Sequence, residues 1–322
     1  QPGNSPLSVA PMLDWTDRHC RYFLRLVSRN VRLYTEMITT SALLHGDRDS
    51  LLAFDAAEHP LAVQLGGSVP VELARCASIA EQAGFDEVNL NVGCPSDRVQ
   101  SGRFGACLML EPDLVADAVC AMREAVSIPV TVKSRIGVDY RDSYDELADF
   151  VARLVNARVN ALIVHARKAW LKGLSPKQNR DIPPLHYEHV HRLKKDFPAL
   201  QIHINGGIKT LDEVALHLQH VDGVMIGREV YHNPWLLADV DQVFFASQAP
   251  PTTCRQVVEK YMRYAETELA SGTRLHQMTR HILGLFHGQP GARAWRRHLS
   301  EHACRPGADI RVIEDALSKT NG

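Results

Sequence analysis

The chain has 322 residues, of which 45% are hydrophobic and 23% charged, with a formal net charge of −1. That suits a soluble globular chain of one large domain, or one large and one small. No apolar run approaches a membrane span, and Gln1-Pro2-Gly3-Asn4-Ser5 has neither the basic start nor the apolar core of a secretory signal. Seven scattered cysteines with no C-x-x-C pair argue against a disulfide framework or a structural zinc site. They point to a reducing, cytoplasmic setting; neither a membrane nor a metal partner is expected.

In chain order, Ser8-Val9-Ala10 leads to a first strand end at Pro11-Met12, and Arg32-Leu33-Tyr34-Thr35 is a second strand. Leu61-Ala62-Val63-Gln64-Leu65 is a third, with a helix near Pro70 to Ala83 behind it. Glu87 to Asn91 is the fourth, followed by a helix near Pro112 to Val126. Pro129 to Lys133, Ala161 to His165, Gln201 to Asn205 and Gly223 to Gly227 are the fifth to eighth. Strands alternating with helices predict a parallel α/β architecture. Eight units over about 235 residues fit a (β/α)8 TIM barrel. An open doubly wound sheet fits less well, because no G-x-G-x-x-G follows the first strand.

After Ala249-Pro250-Pro251-Thr252-Thr253, which reads as a linker, no strand signal remains. Helical patterns lie near Gln256–Ala270, Leu275–Phe286, Gly291–His302 and Asp309–Lys319. The expected domains are a catalytic barrel over residues 1–248 and a small C-terminal all-helical bundle over 249–322. From Arg255 onward there are eleven Lys/Arg and seven Asp/Glu, a balance of +4 that leaves −5 for the rest. Five histidines in the tail can add to the positive side. A basic tail on a mildly acidic body suits a polyanion partner; a solvated helical surface is the plainer reading of the same charges.

In a barrel of this kind the active site gathers at the C-terminal strand ends. Here those ends are Pro11-Met12, Glu36, Gln64, Asn91 with Cys94, Lys133 with Arg135, His165, Asn205-Gly206-Gly207 and Gly227-Arg228. Asn91-Val92-Gly93-Cys94-Pro95 places a thiol at a strand exit stiffened by proline and bent by glycine. Such a thiol can serve as nucleophile, metal ligand or acid. Taken singly, each glycine pair is an ordinary turn. Together, after strands seven and eight, they match the usual phosphate site of such barrels, with Arg228 as a charged donor. Lys133, in an otherwise apolar strand, needs an anionic or electron-rich partner. It could form a Schiff base, donate to an electron-rich ring, or make a structural ion pair. Gln64 and His165 add hydrogen-bonding groups, although a lone histidine is often a satisfied core residue. The set describes a pocket for flavin mononucleotide (FMN).

These residues resemble the tRNA-dihydrouridine synthases, along nearly the whole chain. The resemblance is carried by Ala10-Pro11-Met12, Gln64-Leu65-Gly66-Gly67, Asn89 to Pro95, Val132-Lys133-Ser134-Arg135, Asn205-Gly206-Gly207 and Gly227-Arg228. Gly173-Leu174-Ser175-Pro176-Lys177-Gln178-Asn179-Arg180 is similar to the A-type bacterial subfamily, which reduces uridines 20 and 20a in the tRNA D-loop. The resemblance implies an NADPH-reduced flavoprotein with FMN on Pro11, Met12, Gln64, Lys133 and His165. It implies a flavin phosphate cradle of Asn205, Gly206, Gly207, Gly227 and Arg228. It also implies a catalytic Cys94, a tRNA-contacting Asn91, and tRNA-binding Lys177, Arg180, Arg293 and Arg296. His165-Ala166-Arg167 departs from the more usual His-Gly-Arg but keeps a small residue.

Reducing the uracil C5–C6 bond needs a hydride at C6 and a proton at C5. A free cysteine is mostly thiol at neutral pH, and no basic residue adjoins Cys94 in sequence, which favours the acid role; a base near only in space would keep nucleophilic attack open. Ser101-Gly102-Arg103-Phe104-Gly105 suits a loop closing over an extruded base. Arg293, Arg296 and Arg297 stand at i, i+3, i+4, so they share one helix face suited to phosphates. A monomer is expected. A small-molecule flavin reductase of the dihydroorotate or dihydropyrimidine type leaves that basic tail unused. A non-catalytic tRNA-binding protein leaves Cys94 and Lys133 unused.

Overall fold

The computed structural model describes residues 5–96 and 102–320. The chain divides into two compact units, each discontinuous in sequence. One comprises the chain up to Met12, Arg32–Phe54 and His59–Ile226; the other comprises Leu13–Val31, Asp55–Glu58 and the chain from Gly227.

The first unit is built on eight strands: β1 (Leu7–Val9), β2 (Leu33–Thr39), β3 (Leu61–Gly66), β4 (Glu87–Val92), β5 (Val130–Arg135), β6 (Ala161–His165), β7 (Gln201–Asn205) and β8 (Gly223–Ile226). All neighbours pair in parallel, in the order β1-β8-β7-β6-β5-β4-β3-β2. A parallel bridge between Ser8 and Arg32 brings the two outer strands together, so the sheet is a nearly closed barrel. The eight expected strands and the (β/α)8 architecture are present. The helices behind the strands start where local chemistry says they should. Pro70 and Pro112 take the first turns of Pro70–Gln82 and Pro112–Ala125. Capping boxes from Ser143 with Glu146 and Thr210 with Glu213 open Tyr144–Asn156 and Leu211–Leu218.

Strand alternation decides what fills the barrel. One face of each strand is aliphatic: Val88, Leu90, Val130, Val132, Leu162, Ile202 and Ile204 are fully buried. The alternate residues point the other way and form an apolar layer of Ala10, Tyr34, Ala62, Ile163 and Met225, with Met12 packed against it. The same alternation places Glu87, Asn89 and Asn91 of β4, and Thr131, Lys133 and Arg135 of β5, on one face. Branched aliphatics usually dominate a barrel interior. Here a large part of it is polar.

The second unit is helical around fully buried Phe23, Tyr261, Phe286 and Trp295. Its helices include Arg18–Val27, Cys254–Ala270, Leu275–Thr279, Ala292–His302 and Arg311–Leu317. Thr253 and Gln256 cap the longest of them with a capping box. The helix expected near Leu275–Phe286 is shorter. After Thr279 several amides bond three residues back (His281 to Met278, Ile282 to Thr279, Leu285 to Ile282), which tightens the chain into turns.

Candidate active site

At the end of β4 the Asn91 side chain makes the turn. Its Oδ1 accepts from the amides of Gly93 at 3.1 Å and Cys94 at 3.0 Å, so a short polar side chain does what a backbone carbonyl would. The turn is braced from β5: Arg135 Nε donates to the Gly93 carbonyl at 2.9 Å. Arg135 NH1 reaches the carbonyls of Lys168 and Asn179, each at 3.0 Å. The Cys94 carbonyl accepts from the Ala106 amide at 2.9 Å. The Cys94 thiol is half-buried, 3.6 Å from the Ser96 hydroxyl. Ser101 lies outside the described residues; beyond it Phe104 is buried and Gly105–Leu110 forms a short 3-10 helix.

The mouth is cationic. Lys133 Nζ donates to Asn205 Oδ1 at 3.1 Å, and that neutral oxygen is its sole hydrogen-bond partner among the described residues. Asn205 is held in turn by its Nδ2, which donates to the Met225 carbonyl at 2.8 Å. Burial, then the charge of Arg135, lowers the Lys133 ammonium to about 7, opposed by Cys94. Lysine therefore divides between ammonium and amine near neutrality. His165 is pushed well below its ordinary value by burial and then by Arg135, Lys133, Arg167 and Arg180, so it stands as a neutral imidazole. Both Lys133 and Arg135 lie close enough to Cys94 to interact with it electrostatically. The sequence shows no base adjoining Cys94, yet the fold places two cations within its electrostatic reach.

Gln64 is 1% exposed, and both ends of its amide are engaged: Nε2 donates to Asn89 Oδ1 and Oε1 accepts from Asn91 Nδ2, each at 2.8 Å. One N–H and one lone pair remain for a ligand. Pro11 and Met12 are half-buried after β1.

Gly206 and Gly207 follow β7 with φ of 121° and 73°, a backbone that favours glycine. A Cβ on Gly206 would lie 2.6 Å from the His165 ring, and one on Gly207 would lie 2.6 Å from Leu185. The bare backbone thus lets His165 close against it. Gly227 and Arg228 continue directly from β8; Arg228 opens the short helix Arg228–His232.

Lys177 and Arg180 are exposed beside a fully buried Asn179. Asn179 Oδ1 accepts from the Trp170 amide at 2.7 Å, and its Nδ2 donates to the carbonyls of Trp170 and Leu174 at 2.9 and 3.2 Å. Asn179 therefore staples the loop that presents those two cations. In the second unit, Arg293, Arg296 and Arg297 are exposed on the helix Ala292–His302, whose other face buries Trp295 and Leu299. They line an open concavity of about 510 Å³.

Sequence reading missed the residues beneath the site. Glu87, Asn89 and Thr131 are 2%, 0% and 1% exposed and share a hydrogen-bonded path with Gln64 and Asn91. The signal was present: carboxylate and carboxamides at every second position of a strand cannot all face water when the strand is central. Among the described residues one group, His186, Glu188 and His189, has ligand atoms within 4.8 Å of one another. His186 Nδ1 is already bonded to Glu188 at 2.8 Å.

The family model for dihydrouridine synthases matches residues 8–321. The chain is 60% identical over 314 residues to the tRNA-dihydrouridine(20/20a) synthase of Vibrio cholerae, covering 97% of this chain and 96% of that one. It is 62% identical over 315 residues to the protein of that name from Vibrio vulnificus, with the same coverage. It is 61% identical over 311 residues to that of Escherichia coli strain K12, covering 96% and 90%.

Proposed function

This chain belongs to the dihydrouridine synthase family of enzymes, and on that premise we propose that it reduces uridines 20 and 20a in the tRNA D-loop with FMN and NADPH. The observation that carries the site reading is Lys133. Among the described residues, a half-buried lysine has one neutral hydrogen-bond partner, lies in a field of arginines, and is coupled electrostatically to Cys94. Leaving such a cation without a counterion is costly unless a ligand completes it. The electron-rich edge of a flavin does so.

The residues fit that group. Gln64, Lys133 and His165 would hold the flavin ring, with Pro11 and Met12 at the first strand end. The positive-φ backbone of Gly206 and Gly207, next to Asn205, suits close approach to a phosphate. Gly227 and Arg228 are assigned to the phosphate by their place in the chain directly after β8. FMN, when bound, supplies the hydride for C6 of the uracil ring. The Cys94 Sγ–H gives the proton at C5, and Asn91 fixes the turn that carries it. Residues 249–322, with Arg293 and Arg296, together with Lys177 and Arg180, would bind the tRNA backbone.

The purified protein should be yellow, bleach with NADPH, and turn over on unmodified tRNA but not on free uridine. A folded preparation that neither carries nor takes up FMN sinks the reading. Turnover on free pyrimidines with none on tRNA favours a small-molecule reductase instead. Cys94→Ala should bind FMN normally yet lose about 10²–10⁴-fold in tRNA reduction, the usual worth of a general acid; unchanged turnover refutes the acid role.

A further inference from the structure

Beneath the site, five successive hydrogen bonds run in one sense from the Cys94 turn into the barrel. The Cys94 amide donates to Asn91 Oδ1 at 3.0 Å; Asn91 Nδ2 donates to Gln64 Oε1 at 2.8 Å; Gln64 Nε2 donates to Asn89 Oδ1 at 2.8 Å. Asn89 Nδ2 then donates to Thr131 Oγ1 at 2.8 Å, and the Thr131 hydroxyl donates to Glu87 Oε1 at 2.6 Å. The sense is forced by the two ends. A backbone amide is a donor only, and a carboxylate ion-paired to Arg32 at 2.7 Å is an acceptor only. Between them each carboxamide has one orientation that leaves no donor facing a donor. Tyr34, whose phenol is held protonated by burial and by Glu87, donates to the same carboxylate oxygen at 2.7 Å.

We propose that Glu87, Thr131 and Asn89 are positioning residues that fix, from the opposite end of the barrel strands, the amide orientation of Gln64 and the seat of the Cys94 turn. None of them touches the reacting atoms. They act through Gln64, which is left one free N–H and one lone pair in a fixed direction, and through Asn91, whose Oδ1 carries the turn. The chain of dipoles transmits orientation because its three inner links, from Gln64 to Glu87, are buried: Asn89 has no water to turn toward. A flip at any one carboxamide opposes two donors or two acceptors at the neighbouring link. The flavin arm of the proposal rests on the function proposed above; the thiol arm does not.

The test is Thr131→Val, which removes the hydroxyl and keeps the shape, beside Thr131→Ser, which keeps the hydroxyl. In the valine protein FMN affinity, read by flavin fluorescence, should fall roughly tenfold, as expected when a buried donor loses its acceptor. Alkylation of Cys94 by iodoacetamide in flavin-free protein, followed at the Cys94 peptide, should change by roughly threefold or more. The serine protein should restore both. Thr131→Ala carries the same expectation should the valine variant fail to fold. A hydroxyl-less variant that melts earlier but keeps parental FMN affinity and Cys94 alkylation shows a merely structural role and overturns the proposal. So does failure of serine to rescue. Should the parent protein itself bind no FMN, the flavin reading fails while the alkylation rates still decide the positioning role.

Discussion

Buried carboxylates of the helical unit and the cations at the barrel mouth are handled in opposite ways. In the helical unit each buried carboxylate meets an arginine. Arg21 pairs with Glu58 at 2.6 Å with 5% and 1% of the side chains exposed. Arg18 grips both oxygens of Glu268. Asp17 caps the helix Arg18–Val27 and receives Arg280 at 2.7 Å and His281 at 2.9 Å. Burial works against Asp17's ionisation, yet those partners outweigh it and hold the carboxyl well below its usual range. At the barrel mouth, by contrast, Lys133 rests on a carboxamide and Arg135 on carbonyls, while Glu87 at the other end of the strands keeps its own arginine, Arg32. The first arrangement is complete and gives structure. The second leaves positive charge for something else to neutralise, which marks a binding site.

The comparison breaks or sharpens under substitution. The largest effect belongs to the helical unit: Arg21→Met should destabilise the protein by about 3–5 kcal/mol in urea unfolding, because Glu58 is left buried without its partner. A loss near the 0–1 kcal/mol of an exposed pair would show that the carboxylate finds water and that the two units do not differ.

Lys133→Met should do the reverse. In the flavin-free protein the folded state holds the Lys133 proton less tightly than the unfolded chain does, about 7 against 10.5. The unfolded state therefore binds more protons between those values, and stability rises with pH across that window. Methionine removes the penalty, so the gain in melting temperature should be largest at or below pH 7 and vanish above pH 10.5. FMN binding should be lost in the same variant. A methionine protein that is less stable at neutral pH would mean that Lys133 already has its counterion.

The smallest effect on folding is expected at the surface. Arg293→Glu with Arg296→Glu should leave the melting temperature and flavin reduction by NADPH unchanged. The salt dependence of tRNA binding should become shallower, by roughly 0.7–0.9 in log–log slope for each phosphate that is no longer neutralised. An unaltered slope removes those residues from the tRNA surface.

The barrel was legible in the sequence because each strand is a short apolar run and several helices behind the strands have their own start signals, as at Pro70 and Thr210. Cys94, Lys133 and the glycines after β7 were legible because residues of that kind at a strand end have few structural uses. The strand sequence Glu87-Val88-Asn89-Leu90-Asn91 also carried its alternation openly. Periodicity says that two residues share a face, but not what stands opposite. Asn179 sat in view within a surface motif, and its burial came from packing against Trp170 and Leu174.

The sequence by itself determined the order of elements and the family, and singled out Cys94 and Lys133 as candidates, since these are local patterns read along the chain. Tertiary structure alone decided which groups face one another: that Lys133 has a carboxamide rather than a carboxylate for company, that two cations sense Cys94, and that Glu87 connects to the Cys94 turn through Thr131, Asn89, Gln64 and Asn91. Hydrogen bonds and charges act over a few ångströms in space. Pairing of neighbouring strands brings side chains from β3, β4 and β5 within that range although the chain keeps them 20 or more residues apart.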